Sequence, residues 1–108
     1  MIAIRQYVDE LGRIPFGEWR AELDDFARAK VTTAVLRLEQ GNTSNVKGVG
    51  EGVSELKIDF GPGYRVYFGR DGASLVILLG GGTKKRQQQD IAKAQEHWQS
   101  YKSRKARK

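Results

Sequence analysis

The chain has 108 residues, a net charge of +6, no cysteine and a single histidine. This length suits one small domain with a modest core, and no run is apolar enough for a membrane span or a secretory signal. The lack of cysteine excludes disulfides and thiolate ligands, and one histidine leaves no cluster for a zinc site. The composition therefore predicts a cytoplasmic domain that uses no metal or other cofactor.

The positive charge is concentrated at the C-terminal end. Five of the six net charges come from residues 102–108, which leaves +1 for residues 1–101. A flexible basic run attracts nucleic acid without choosing a site, and it is more often only a solvated end. The sequence predicts one domain over residues 1–101 and a frayed basic tail over residues 102–108.

The N-terminal half predicts one strand and a helical region. Residues 2–7 alternate as a short strand does, and Pro15 is placed to open a helix. Two helices or one bent helix are expected over residues 16–40, and residues 46–52 are expected to form a glycine-punctuated loop. The first apolar helical stripe, expected to face the core, comprises Phe16, Trp19, Leu23 and Phe26.

The segment from Glu55 to Phe68 predicts a β-hairpin. Apolar and charged residues alternate from Glu55 to Phe60, so Leu56, Ile58 and Phe60 should face the core and Glu55, Lys57 and Asp59 the solvent. Gly61, Pro62 and Gly63 favour a reversal of the chain. On the return strand, Arg65 and Tyr67 should share the polar face with Lys57, while Tyr64 points to the core.

A third strand and a last helix follow. The apolar run Leu75–Leu79 is typical of a strand covered on both sides, and the glycines at 80–82 are expected to bend the chain sharply. A helix should begin near Arg86. Its apolar stripe comprises Ile91, Ala94, Trp98 and Tyr101.

Four cations collect around these strands. Lys57 and Arg65 share a polar face, and Lys84 and Lys85 follow the glycines where the third strand ends. A solvated turn would explain the two adjacent lysines alone, whereas all four together favour a cationic site for phosphate.

The same residues carry a family resemblance. The segment Glu-Leu-Lys-Ile-Asp-Phe-Gly-Pro-Gly-Tyr-Arg-Val-Tyr-Phe from Glu55 to Phe68, then Gly-Gly-Gly-Thr-Lys-Lys and Asp90-Ile91, resembles the RelE/ParE toxin superfamily. Within it the chain is most similar to the phage-derived addiction-module killer proteins, which are HigB-like. The resemblance implies an α+β, RelE-like fold: an N-terminal strand, two helices, an antiparallel meander of three strands and a C-terminal helix.

This resemblance implies the toxin of a bacterial type II toxin-antitoxin system, and a ribosome-dependent endoribonuclease that cuts mRNA without metal. Arg65 would stabilise the transition state, since its planar fork can hold two phosphate oxygens. Lys84 and Lys85 would share that task or protonate the leaving oxygen, and Lys57 is the candidate base. The candidate RNA-binding residues are Tyr67, Lys102, Arg104 and Lys105.

Two departures from the family pattern leave alternatives open. Many RelE-like nucleases have a tyrosine or histidine near the start of the last helix, where this chain has Gln87–Gln89 and Asp90. Asp90 is expected to cap that helix, and His97 to lie on the surface without a catalytic role. The alternatives are a ParE-like toxin that binds DNA gyrase and a degenerate domain that only binds its antitoxin. The partners implied are an antitoxin of helix-turn-helix type, in a hetero-oligomer, and the ribosome with its mRNA.

Overall fold

The structure, a computed structural model, describes residues 2–107. The elements in chain order are β1 (Ala3–Gln6), α1 (Pro15–Ala21), α2 (Asp25–Glu39), β2 (Val46–Gly50), β3 (Val53–Ile58), β4 (Tyr64–Arg70), β5 (Leu75–Thr83), a 3₁₀ turn (Lys84–Arg86) and α3 (Gln87–Ala106). The predicted α+β class is confirmed.

The five strands form one sheet in the order β1-β5-β4-β3-β2. β1 runs parallel to β5, and the other neighbours are antiparallel. Residues of α1 and α2 pack on one face, and residues of α3 pack on the other. The sheet is therefore a middle layer with a core on each side.

The second core corrects the expected orientation of β3. Leu56 and Ile58 are buried and Lys57 is exposed, as the alternation predicted. Glu55 was predicted to face solvent, but it is only 1% exposed. The prediction was wrong because α3 packs over Glu55 on that face of the sheet. Lys57, on the same face, is not covered by the helix and stays exposed.

The segment expected to be a loop contains the edge strand β2. Val46 and Lys47 pair with β3, and Gly50 pairs with Val53 across a tight turn. In that turn Glu51 and Gly52 have φ values of 55° and 81°, the positive pair that closes two-residue hairpins. An edge strand tolerates glycines that a central strand would not. The meander thus has four strands rather than the predicted three.

The glycines at the end of β5 do not bend the chain. β5 continues through them to Thr83, and Leu79 is the extra residue of a bulge opposite β4. A Cβ on Gly81 would overlap the Trp19 ring, and one on Gly82 would overlap the Asp90 carboxylate. These glycines therefore allow α1 and α3 to approach the strand closely.

The two predicted N-terminal helices are confirmed, with one change in the core. Pro15 begins α1, and the Asp24 carboxylate accepts the Ala27 N–H at 2.9 Å to cap α2. Phe26 is 79% exposed, so its assignment to the core was wrong. The break between the helices resets the helical phase, and Ala27 rather than Phe26 continues the buried stripe.

The last helix begins at Gln87 and extends to Ala106, beyond the predicted domain end at residue 101. The segment expected to fray is helical through that residue, and Lys108 lies outside the described residues. Over residues 2–107 no helix has both the length and the apolar character needed to cross a membrane.

Candidate active site

Three of the four predicted cations lie together at the end of the β3–β4 hairpin. Lys57 on β3 pairs with Arg65 on β4, and Arg65 pairs with Gly82 on β5. The Lys84 N–H donates to the carbonyl of Gly63 at 3.0 Å, which ties the 3₁₀ turn to the hairpin. Lys85 is exposed on the same turn. The register of three strands and one backbone hydrogen bond thus build the cationic cluster.

Arg65 is the most buried member of the cluster, at 6% exposed. Its Nη1 donates to the Gly63 carbonyl at 3.0 Å, and its Nε lies 3.5 Å from Oε1 of Glu55. The Nε atom is buried and forms no hydrogen bond. The guanidinium is therefore held by Gly63 and Glu55. These two contacts leave several of its five N–H groups without a hydrogen-bond acceptor.

Glu55 is the site residue that the sequence did not reveal. Its Oε1 accepts a hydrogen bond from Nε2 of Gln87 at 2.6 Å, and Lys47 Nζ lies 3.9 Å from its Oε2. Glu55 thus links β2, β4 and the first turn of α3. The apolar stripe of α3 could have revealed it. That stripe must be buried against one face of the sheet, and Glu55 lies on the face that α1 and α2 do not cover.

Tyr67 shares the Arg65 face, as predicted, but it is 0% exposed beneath α3. Its hydroxyl is buried and forms no hydrogen bond. Burial raises the pKa of Tyr67, the carboxylates of Glu55 and Asp90 raise it further, and Arg65 opposes them. In this arrangement Tyr67 has no exposed ring face for a nucleobase, so it does not fit the RNA-stacking role expected of it.

A cleft of about 490 Å³ lies beside this cluster, between α1 and α3. β1 ends at Gln6, opposite Leu78, so within residues 2–107 no strand pairs with the far edge of β5 from Leu79 to Thr83. The glycines of β5 form the floor of the cleft. Its polar and aromatic walls are formed by Asp9, Arg13, Glu18, Trp19, Glu22, Arg86, Asp90, Lys93 and His97.

Asp90 and His97 are two of the titratable groups that line the cleft, and burial shifts the pKa of each. Burial raises the pKa of Asp90, against the opposing charges of Arg86 and Lys93. Burial lowers the pKa of His97, whose ring lies 4.9 Å from that of Tyr7. His97 is therefore half-buried rather than a surface histidine, and Asp90 lies in the first turn of α3 without capping it.

The three C-terminal cations predicted to bind RNA lie at the opposite end of the sheet. Arg104 donates to the Val8 carbonyl, and Lys105 pairs with Asp71 in the β4–β5 turn. Lys102 Nζ lies 5.8 Å from the centre of the Trp98 ring. These contacts hold the end of α3 on the domain, and the structure does not bring the three cations to the cluster around Arg65.

Residues 2–107 contain no group of three or more histidine, cysteine, aspartate or glutamate side chains placed to hold a metal ion.

Two comparisons with known proteins match most of the chain. An uncharacterized protein of Haemophilus influenzae strain Rd is 42% identical over 82 residues, which cover 75% of this chain and 83% of the relative. Residues 18–99 match the family described as Phage derived protein Gp49-like (DUF891), a stretch that contains the hairpin, Arg65, Lys84 and the cleft side of α3. The chain therefore belongs to the Gp49-like family of phage-derived proteins, which is a RelE-like toxin family.

Proposed function

We propose that this chain is the toxin of a type II toxin-antitoxin system, of the HigB-like branch, and that it cleaves mRNA on the ribosome as a metal-independent endoribonuclease. The observation that carries the proposal is the row Lys57–Arg65–Gly82 across three strands, with Lys84 tied to the hairpin beside it. This row places a fixed guanidinium between exposed lysines, which suits a phosphodiester.

The reaction requires three things: removal of the proton from the 2′-hydroxyl, stabilisation of the phosphorane, and protonation of the leaving 5′-oxygen. Arg65 would stabilise the developing negative charge. Lys57, which the resemblance offers as the base, lies exposed on β3 and would here add positive charge beside Arg65. Lys84, with Lys85 beside it, would protonate the leaving oxygen. The products are a 2′,3′-cyclic phosphate and a 5′-hydroxyl end.

The burial of Arg65 defines how RNA would approach. The phosphate would meet the exposed Lys57, Lys84 and Lys85 first, at the hairpin end, and then the accessible edge of the guanidinium. Glu55 and the Gly63 carbonyl hold Arg65 in place, so little reorganisation is needed when the charge develops.

The test is to induce the chain in bacteria without antitoxin and to map mRNA 5′ ends by primer extension. Wild type should give new cleavages within translated frames, and Arg65→Ala and Lys84→Ala/Lys85→Ala should abolish them. Arg5→Ala/Arg70→Ala is the matched control, because it removes two exposed cations from strand positions far from the row Lys57–Arg65–Gly82. Intact mRNA in arrested wild-type cells would refute the nuclease proposal.

The ParE-like alternative is favoured by one observation. Arg65 is buried and lies close to the Glu55 carboxylate, an environment that also suits a purely structural arginine. A toxin of this kind would act by binding gyrase. Growth arrest with intact mRNA and loss of DNA supercoiling by gyrase in vitro would establish it.

Family membership supports an antitoxin partner, and we propose that it carries a helix-turn-helix domain and forms a hetero-oligomer with this chain in the cytoplasm. Co-expression from the native gene pair should restore growth and yield a complex by size-exclusion chromatography. Failure of the neighbouring gene product to bind or to restore growth would contradict it.

A further inference from the structure

We propose that Asp90 is the general base that accepts the proton of the attacking 2′-hydroxyl. The inference rests on the proposed nuclease function, and it supplies a group that the cationic cluster lacks.

The packing of Asp90 places it next to the cluster. Its carboxylate lies against Gly82, where a Cβ on the glycine would overlap it. Gly82 is the register partner of Arg65, and both Arg65 and Asp90 lie on the α3 side of the sheet. Because Gly82 has no side chain, the Asp90 carboxylate can lie next to the strand position paired with Arg65, the proposed phosphate ligand.

Asp90 also lines the cleft, where RNA could reach it. The cleft holds about 490 Å³, and Trp19 forms part of its opposite wall. Nucleobases stack on aromatic rings, so Trp19 would hold the nucleotide whose 2′-hydroxyl reacts. A ribose between Trp19 and Asp90 would place that hydroxyl beside the carboxylate.

The carboxylate of Asp90 is not committed to an ion pair. Within residues 2–107 the acidic partners in salt bridges are Asp9, Asp25, Glu55 and Asp71. Glu55, the other carboxylate near Arg65, is buried and accepts from Gln87. Asp90 is thus the better placed of the two to exchange a proton with a substrate.

The surrounding charges set the basicity of Asp90. Burial raises its pKa, and the charges of Arg86 in the preceding 3₁₀ turn and Lys93 on α3 oppose that shift. A raised pKa makes a carboxylate a stronger base, which favours proton transfer. The other titratable groups that face this region are Arg65 and Tyr67 on β4, Glu55 on β3, Glu18 and Glu22 on α1, Asp9 and Arg13 before α1, and His97 on α3.

The step balances without a further reactant. Asp90 takes the 2′-hydroxyl proton, the 2′-oxygen forms a bond to phosphorus, and the bond from phosphorus to the 5′-oxygen breaks. The leaving oxygen receives a proton from Lys84. Exchange with water then returns Asp90 to its carboxylate form and Lys84 to its ammonium form.

The experiment measures single-turnover cleavage of mRNA on programmed ribosomes as a function of pH. Asp90→Asn should cleave at least about 100-fold more slowly and should lose the acidic limb of the pH–rate profile. Glu96→Gln, which neutralises an exposed acid on the same helix, should leave both unchanged. Added formate should restore part of the activity of Asp90→Ala, which a structural role for Asp90 would not predict.

The outcomes separate this inference from the proposed function. Cleavage by Asp90→Asn within threefold of wild type, with the same pH profile, would overturn the role of Asp90 and leave the nuclease intact. The same holds if Asp90→Ala is slow but formate restores nothing. No cleavage by wild type would overturn the nuclease proposal, and the role of Asp90 with it.

Discussion

Arg65 and Glu55 face each other across neighbouring strands, with the guanidinium Nε 3.5 Å from the carboxylate and both side chains buried beneath the first turn of α3. The pair joins the proposed phosphate ligand to the core. Its two charges depend on each other, because each would be costly to bury alone.

Replacement of Glu55 by alanine should therefore destabilise the domain. The change leaves the Arg65 charge without its partner and removes the acceptor of Gln87, so we expect a loss of about 3 kcal/mol in the free energy of unfolding. Urea denaturation measures it. Glu96→Ala should change that free energy by less than about 0.5 kcal/mol, because Glu96 is an exposed acid. Equal effects of the two variants would contradict the structural role of Glu55.

Two neighbouring glycines of β5, Gly80 and Gly81, should respond differently to alanine. Gly81→Ala forces a methyl group into the Trp19 ring, and we expect a loss of about 1–3 kcal/mol from overpacking. A Cβ at Gly80 has no heavy atom within 4 Å, so Gly80→Ala is the control and should be close to neutral. Thermal and urea unfolding of the two variants test this, and a neutral Gly81→Ala would show that α1 does not pack this closely.

The end of α3 should contribute to stability through Arg104. Its guanidinium donates to the Val8 carbonyl and lies 5.3 Å from the centre of the Tyr7 ring. Arg104→Ala should lower the free energy of unfolding by about 1 kcal/mol, the usual net value of such a hydrogen bond. Arg107→Ala removes the same charge from an exposed position and should have little effect. Equal stability of the two variants would favour the frayed tail predicted from composition.

His97 should make stability depend on pH. Burial lowers its pKa in the folded state, with Lys93 and Arg13 acting in the same direction and Glu96 and Asp9 opposing. As pH falls below the ordinary value of 6.5, the unfolded chain binds a proton that the folded chain does not, so stability decreases until pH reaches the lower folded pKa.

The measurement is the free energy of unfolding from pH 7.5 to 5.5, for wild type and His97→Gln. Wild type should lose stability toward acid over this window, and the variant should show a flatter profile. The raised pKa of Asp90 has the opposite effect on stability. Stability decreases as pH rises from the ordinary pKa of 3.8 to the higher pKa of the folded state. Identical slopes in both proteins would show that His97 is not desolvated.

Local patterns in the sequence were enough to predict the helices, the hairpin and the family. Pro15, the alternation that starts at Glu55 and the stripe around Trp98 are local patterns, and each lies in the type of element that it predicted. The strand β3 ends at Ile58, before the predicted end at Phe60. The pairing of Lys57 with Arg65 also followed from local pattern, because a hairpin fixes which residues are cross-strand neighbours. The position of Lys84 beside them depends on its backbone hydrogen bond to Gly63.

The covered faces and edges of the sheet follow from the packing of elements that are distant in the chain. No local pattern shows that α3 folds back over the polar face of β3 and β4, so Glu55 and Tyr67 looked exposed and are buried. The glycines of β2 made this segment look like a loop in the sequence. It is a strand because it pairs with β3 at the edge of the sheet. The close approach of Asp90 to Gly82 joins α3 to β5, and such contacts depend on how whole elements pack rather than on the residues next to them in the chain.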